Sequence, residues 1–282
     1  MMEMRSAAGT TSRSADVETA RPTMEACYFG PASRRLFGVF HRPAGTPRAT
    51  LLMCPPLLHE HFRSYRFFSQ VADELAAAGI ACFRFDYYGM GDSGGVDADL
   101  SPKDARRDIL AAAVELRRRT GGGGLPLILM GVRASAMFVW RDAVEVGATS
   151  LWLWQPVVDG AAYLRTLEAA DRAEYASRAR YPLAKHLKTG RPDDLMGYAL
   201  SPRFRTELAE CSLTGTPTVP VALVTTPGSV GDALATATRY DLPPSLEAWT
   251  NEIELNGVIQ LRDAQSTIEA LLRDLPKWTR HG

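Results

Sequence analysis

Short, unbroken apolar runs alternate with amphipathic stretches from residue 49 onwards, and this rhythm constrains the fold more than any single motif. ATLLMC (49–54), IACFRFDYY (80–88) and PLILMG (126–131) begin with the continuous apolar character of strands buried on both faces. Between the first two, FRSYRFFSQVADELAAAG (62–79) carries Phe67, Val71 and Leu75 at helical spacing and stops at Gly79, a natural C-cap. SPKDARRDILAAAVELRRRTGGGG (101–124) opens on a serine N-cap followed by proline, a helix start. RASAMFVWRDAVEVG (133–147) predicts the next helix and SLWLWQPVV (150–158) the next strand. Regular strand–helix alternation predicts a mostly parallel central sheet with helices on both faces, an α/β fold.

Two strands, CYFG and RLFGVFHRP, precede this series around a turn at 31–33. The rhythm lapses over residues 159–215, which are polar, helical in pattern and rich in Arg and Ala. They predict a helical cap inserted over the strand ends. VPVALVTTP (219–227) resumes the sheet, followed by a helix near 229–239, a strand around SLEAWTNEI (245–253) and a closing helix at 261–274. The expected organisation is a disordered tail (1–22), a core made of 23–158 and 216–282, and the cap. The tail mixes small polar and charged residues and lacks the apolar centre of a signal peptide.

Composition excludes several functions. Lys+Arg and Asp+Glu both number 32, so no global positive charge invites nucleic acid or an anionic membrane. No apolar run approaches the ~20 residues of a membrane helix. Cys27, Cys54, Cys82 and Cys211 lie far apart, which argues against structural zinc and fits a reducing cytoplasm. The expected partner is a small-molecule substrate or ligand, with a homodimer as the one assembly kept open and neither metal nor cofactor required.

The stretch LILMGVRASAMF (127–138) has the layout of a nucleophile elbow, in which a strand turns sharply into a helix and presents a reactive side chain. Its five central residues are Gly131, Val132, Arg133, Ala134 and Ser135, so arginine occupies the nucleophile's position. A guanidinium keeps its proton and cannot attack a carbonyl. It can clamp a carboxylate or phosphate, assisted by the N-terminus of the helix it begins. Ser135 is either a displaced nucleophile or a capping and packing serine, and Cys54 is a second, weaker nucleophile candidate.

Opposite the elbow, CPPLLHEHFRSYR (54–66) should supply an oxyanion-hole N–H. Pro55 and Pro56 have none, so Leu57 or Leu58 is the donor, with Ala134 as the second. His59, Glu60 and His61 are positioned for acid–base work, or form the solvated first turn of a helix. Arg63 follows, and Asp92 and Ser93 in FDYYGMGDSGG read as turn residues. A triad in the order Ser, acid, His needs an acid after a late strand and a histidine after the last. Asp232 is available for the first. The last strand offers Trp249, Asn251, Glu252 and Glu254, but the only histidine beyond His186 is the near-terminal His281.

These residues resemble α/β hydrolases of the serine-aminopeptidase and lysophospholipase type. Narrowly, PPLLHEHFRSYR, FDYYGMGDS, Gly-x-Arg at the elbow, LWQPVVDGAAYL, GYALS and WTNEI are similar to exosortase A system-associated hydrolase 2-type proteins, over most of 28–275. The resemblance implies an α/β-hydrolase fold with a cap. Arg133 and the missing histidine depart from the parent hydrolases and speak against an acyl-enzyme.

Three readings follow. In the first, an enzyme without the triad uses Arg133 as anion clamp, Glu60 with His59 or His61 as acid–base groups, and Glu252 facing them. Leu57, Ala134, Arg63 and Trp249 bind an acyl- or carboxylate-bearing substrate. In the second, the chain binds a ligand or partner without turnover. In the third, it is an esterase or thioesterase with a displaced nucleophile.

Overall fold

The computed structural model describes residues 22–176, 194–228, 234–247, 249 and 260–280. The central strands are β1 (Thr23–Phe29), β2 (Leu36–Arg42), β3 (Ala49–Cys54), β4 (Ile80–Phe85), β5 (Leu127–Val132) and β6 (Ser150–Trp154). Residues 159–215 contribute β7 (Asp194–Leu195) and β8 (Tyr198–Ala199), and the sheet closes with β9 (Val221–Thr225) and β10 (Thr238–Asp241). Eight strands form one sheet in the order β1-β2-β4-β3-β5-β6-β9-β10. β2 pairs antiparallel with both β1 and β4, and every later pair in the sheet is parallel.

The continuous apolar runs are explained by two buried faces. Along β5, Leu127 and Leu129 enter a core layer shared with α2 (Ala105–Arg119) and α3 (Ser135–Val146). Ile128, Met130 and Val132 enter the opposite layer, with α1 (Leu58–Ala77) and α6 (Leu261–Arg273). β6 divides in the same way, with Leu151 and Leu153 on the first face and Trp152 and Trp154 on the second. Trp154 meets the edges of Phe67 and Phe68 from α1 at 5.8 and 5.7 Å between ring centroids.

Three local expectations change. α1 begins at Leu58 rather than at Phe62, because Glu60 stands in its first turn, where a carboxylate complements the helix N-terminus. The region between β6 and β9 contains α4 (Gly160–Ala176) and α5 (Pro202–Ala209), as its pattern indicates, but also the β7–β8 hairpin. α4 starts against the end of α5, where a Cβ on Gly160 would stand 1.9 Å from the Leu208 carbonyl oxygen, so only glycine fits. The last strand among the described residues is TRYD (238–241), which overlaps the end of the helix expected near 229–239, while the strand expected at 245–253 starts on a 3-10 turn at Pro244–Leu246 and otherwise lies largely outside the described residues. A short final helix, α7 (Leu275–Trp278), places Trp278 beside Tyr240 of β10. No helix among the described residues is long and apolar enough to cross a membrane.

Candidate functional site

β3 and β5 lie side by side with Cys54 opposite Gly131, so the HEH segment and the elbow leave the sheet together. Arg133 takes the left-handed conformation, with φ +54°. The turn is tight enough that a Cβ on Gly131 would stand 2.5 Å from Val139 Cγ2 and 2.8 Å from Ala136 Cα. The Arg133 N–H donates to Trp154 O at 3.0 Å, and its carbonyl accepts from Ala136 N and Val157 N, both at 3.1 Å. Leu58 (φ +55°) and Gln155 (φ +42°) are strained in the same sense. Such conformations cost about 1–3 kcal/mol each and gather where function requires them. Here they stand just past the carboxyl ends of β3, β5 and β6, where ligands sit in open α/β sheets.

The Arg133 side chain is already engaged. Its Nε and Nη2 both donate to Glu60 Oε1 at 3.1 Å, and Nη1 donates to the Gln155 carbonyl at 3.0 Å. Glu60 is fully buried. Burial works against the guanidinium's charge, but Glu60 more than compensates and raises the Arg133 pKa. Two aromatic rings flank the cation, Trp249 at 5.3 Å and Tyr163 of α4 at 5.9 Å from Cζ to centroid. Gln155 fixes the wall behind it, accepting from Trp249 Nε1 at 2.5 Å and donating to Leu246 O at 2.9 Å.

Around this pair, hydrogen-bonding capacity is left over. Glu60 Oε2, both ring nitrogens of His59 and the Tyr163 hydroxyl are buried with no hydrogen-bond partner. An orphaned buried polar atom costs about 1–3 kcal/mol, so a cluster of them calls for a reason. Burial lowers the His59 pKa, against the opposing pull of Glu60, and favours neutral imidazole. Burial, with the Glu60 charge nearby, holds the Tyr163 hydroxyl well above its usual range, so it keeps its proton.

The sequence candidates fare unequally. Glu60, Arg133 and Trp249 come together, and Arg63 reaches the Trp249 carbonyl at 3.5 Å. Leu57 and Ala134 are buried immediately before α1 and α3. Glu60 and His61 do not converge, because successive side chains on a helix diverge by about 100°; His59 stays within electrostatic reach of Glu60 and Arg133. His61 instead pairs with Asp86 at 3.1 Å. The Ser135 hydroxyl is fully buried, donating to Pro55 O at 2.5 Å and bonded to Tyr87 Oη at 3.0 Å, so it is committed to packing. Burial pushes the Cys54 thiol far up, away from a nucleophilic thiolate. Ser93 bridges the Asp86 carbonyl and the Phe37 N–H, a turn role. Glu252 and Asp232 lie outside the described residues. Sequence reasoning missed Tyr163 and Gln155. Gln155 was findable, since it follows β6 directly at the carboxyl edge; Tyr163 lies in a helix whose docking no local pattern announces.

No family model matches the sequence, and no curated protein matches it. Solved structures do resemble it. A serine hydrolase without a lid from Xanthomonas campestris is 16% identical, with 92% of this chain and 96% of that one covered at a TM-score of 0.56. An esterase from Pyrococcus furiosus is 13% identical, covering 92% of each chain at 0.60. A thioesterase domain from the curacin biosynthetic pathway is 16% identical, covering 90% and 99% at 0.50. The chain has the α/β-hydrolase fold.

Proposed function

We propose that this is an α/β-hydrolase-fold enzyme that works without a Ser–His–acid triad, on a small acyl- or carboxylate-bearing molecule bound beside Arg133. One observation carries this reading: the Arg133–Glu60 pair occupies the nucleophile's position and is surrounded by buried, unpartnered Glu60 Oε2, His59 and Tyr163 atoms. Neutral His59 is the base and abstracts a proton beside the acyl carbonyl. The electron pair moves onto the carbonyl oxygen, where the protonated Tyr163 hydroxyl and the backbone N–H groups of Leu57 and Ala134 stabilise it. Arg133 adds fixed positive charge and Glu60 holds it in place. Trp249, Arg63 and Gln155 form the wall, and α4 and α5 belong to a cap over the strand ends. The subgroup is the exosortase A system-associated hydrolase 2 type, working in the cytoplasm, with which the free thiols agree.

Short-chain acyl thioesters and amides incubated with the protein in D2O test the reaction. Deuterium should appear at the α-carbon, with the rate falling about 100-fold in His59→Gln, and a fluorophosphonate probe should leave the protein unlabelled. A stoichiometric fluorophosphonate adduct, or an acyl-enzyme burst without exchange, would overturn the proposal. A second reading, binding without turnover, is favoured by the engagement of Arg133 with Glu60 and Gln155. Retained binding with no exchange selects it.

A further inference from the structure

We infer that the group bound beside Arg133 is uncharged, a carbonyl carrying a hydrogen-bond donor next to it, as in a carboxamide, rather than a free carboxylate. The inference rests on the site assigned above and narrows the class of molecule it takes. Arginine at an elbow suggests an anion clamp, but three of the five guanidinium N–H groups are already spent within the protein. Nε and Nη2 go to a single oxygen of Glu60, and Nη1 goes to the Gln155 carbonyl. The pair is internally neutral, so a second carboxylate would gain no net charge from it in exchange for its desolvation. It would also meet Glu60 Oε2, a bare acceptor.

The unpartnered atoms describe the complementary ligand. Glu60 Oε2 can only accept, so it requires an N–H or O–H from the ligand. The Tyr163 hydroxyl keeps its proton, lies against Glu60 without a hydrogen bond of normal geometry, and sits on a ring beside the Arg133 guanidinium, so it can turn to a carbonyl oxygen. Neutral His59 offers one donor and one acceptor and adds no charge. An amide presents a C=O and an N–H on adjacent atoms and satisfies Tyr163 and Glu60 together. A carboxylate satisfies only Tyr163 and leaves two acceptors facing each other.

Matched pairs, acetamide with acetate, butyramide with butyrate and benzamide with benzoate, test this by ligand-observed NMR titration of the full chain. In wild type the amides should bind at least tenfold more tightly than their carboxylates. Glu60→Gln removes the bare carboxylate and frees the positive charge, so the preference should reverse. Tyr163→Phe, which keeps the ring and the packing, should weaken the amides severalfold and provides the test if Glu60→Gln does not fold. Carboxylates binding wild type as tightly as amides would overturn this inference and leave the proposed function standing. Binding of neither class, to wild type or either variant, would overturn both.

Discussion

Two arginines stand near the carboxyl ends of the strands, Arg84 buried and Arg133 partly exposed, and the protein treats them differently. Arg84 of β4 donates Nε to His41 Nε2 at 3.0 Å and Nη2 to Ser69 Oγ at 3.1 Å, with its guanidinium 4.9 Å from the Tyr65 centroid. Because His41 Nε2 accepts, Nδ1 carries the proton and donates to Asp73 at 2.7 Å. That chain runs from half-exposed Asp73 to Ser69 with each of these links made. Arg133 has a buried acidic partner in Glu60, yet four polar atoms beside the pair have no hydrogen bond of normal geometry. Two arginines at one end of a sheet therefore need not share a role. A closed network fixes structure, while an open one holds capacity in reserve for a ligand.

The largest effect expected from breaking this comparison comes from Arg133→Met, which strands Glu60 in the interior and should cost about 3–5 kcal/mol in urea denaturation. Adding Glu60→Met should restore most of that loss, since an apolar pair of similar volume replaces the charges. Arg84→Met should cost less, about 1–3 kcal/mol for the orphaned His41 and Ser69 groups, and leave amide binding unchanged. Ser135→Ala should cost about 1 kcal/mol with no loss of α-carbon exchange, as befits a packing hydroxyl.

A gentler effect comes from pH. Burial holds both His41 and His59 below the ordinary histidine value, with Arg84 reinforcing the shift at His41. The unfolded chain then binds protons first as pH falls, so this stability is complete above about pH 6.5 and lost as pH drops through the lower folded values. Thermal melts from about pH 7.5 to about pH 5.5 should show that slope, and His41→Gln and His59→Gln should each flatten it.

Much of this was legible in the chain. Apolar runs with no alternation marked strands buried on two faces, and the glycine-led bend at 131 marked the elbow with arginine at its tip. The histidine missing between His186 and His281 was an exact observation needing no structure. What stayed hidden was long-range. HEH reads as a cluster in one dimension, but a helix sends Glu60 to Arg133 and His61 to Asp86. The strand TRYD went unread because it has one inward side chain, Tyr240, too little to show a period. Tyr163 reaches the site only because α4 docks beside the elbow, a tertiary fact without a local signal.

The most direct test observes the two networks at once. Imidazole resonances assigned with His41→Gln and His59→Gln should respond differently to butyramide in an NMR titration. The open network predicts a saturable shift at His59 and none at His41. An unmoved His59, or equal movement of both, would contradict the claim that the polar atoms around Arg133 are held for a ligand.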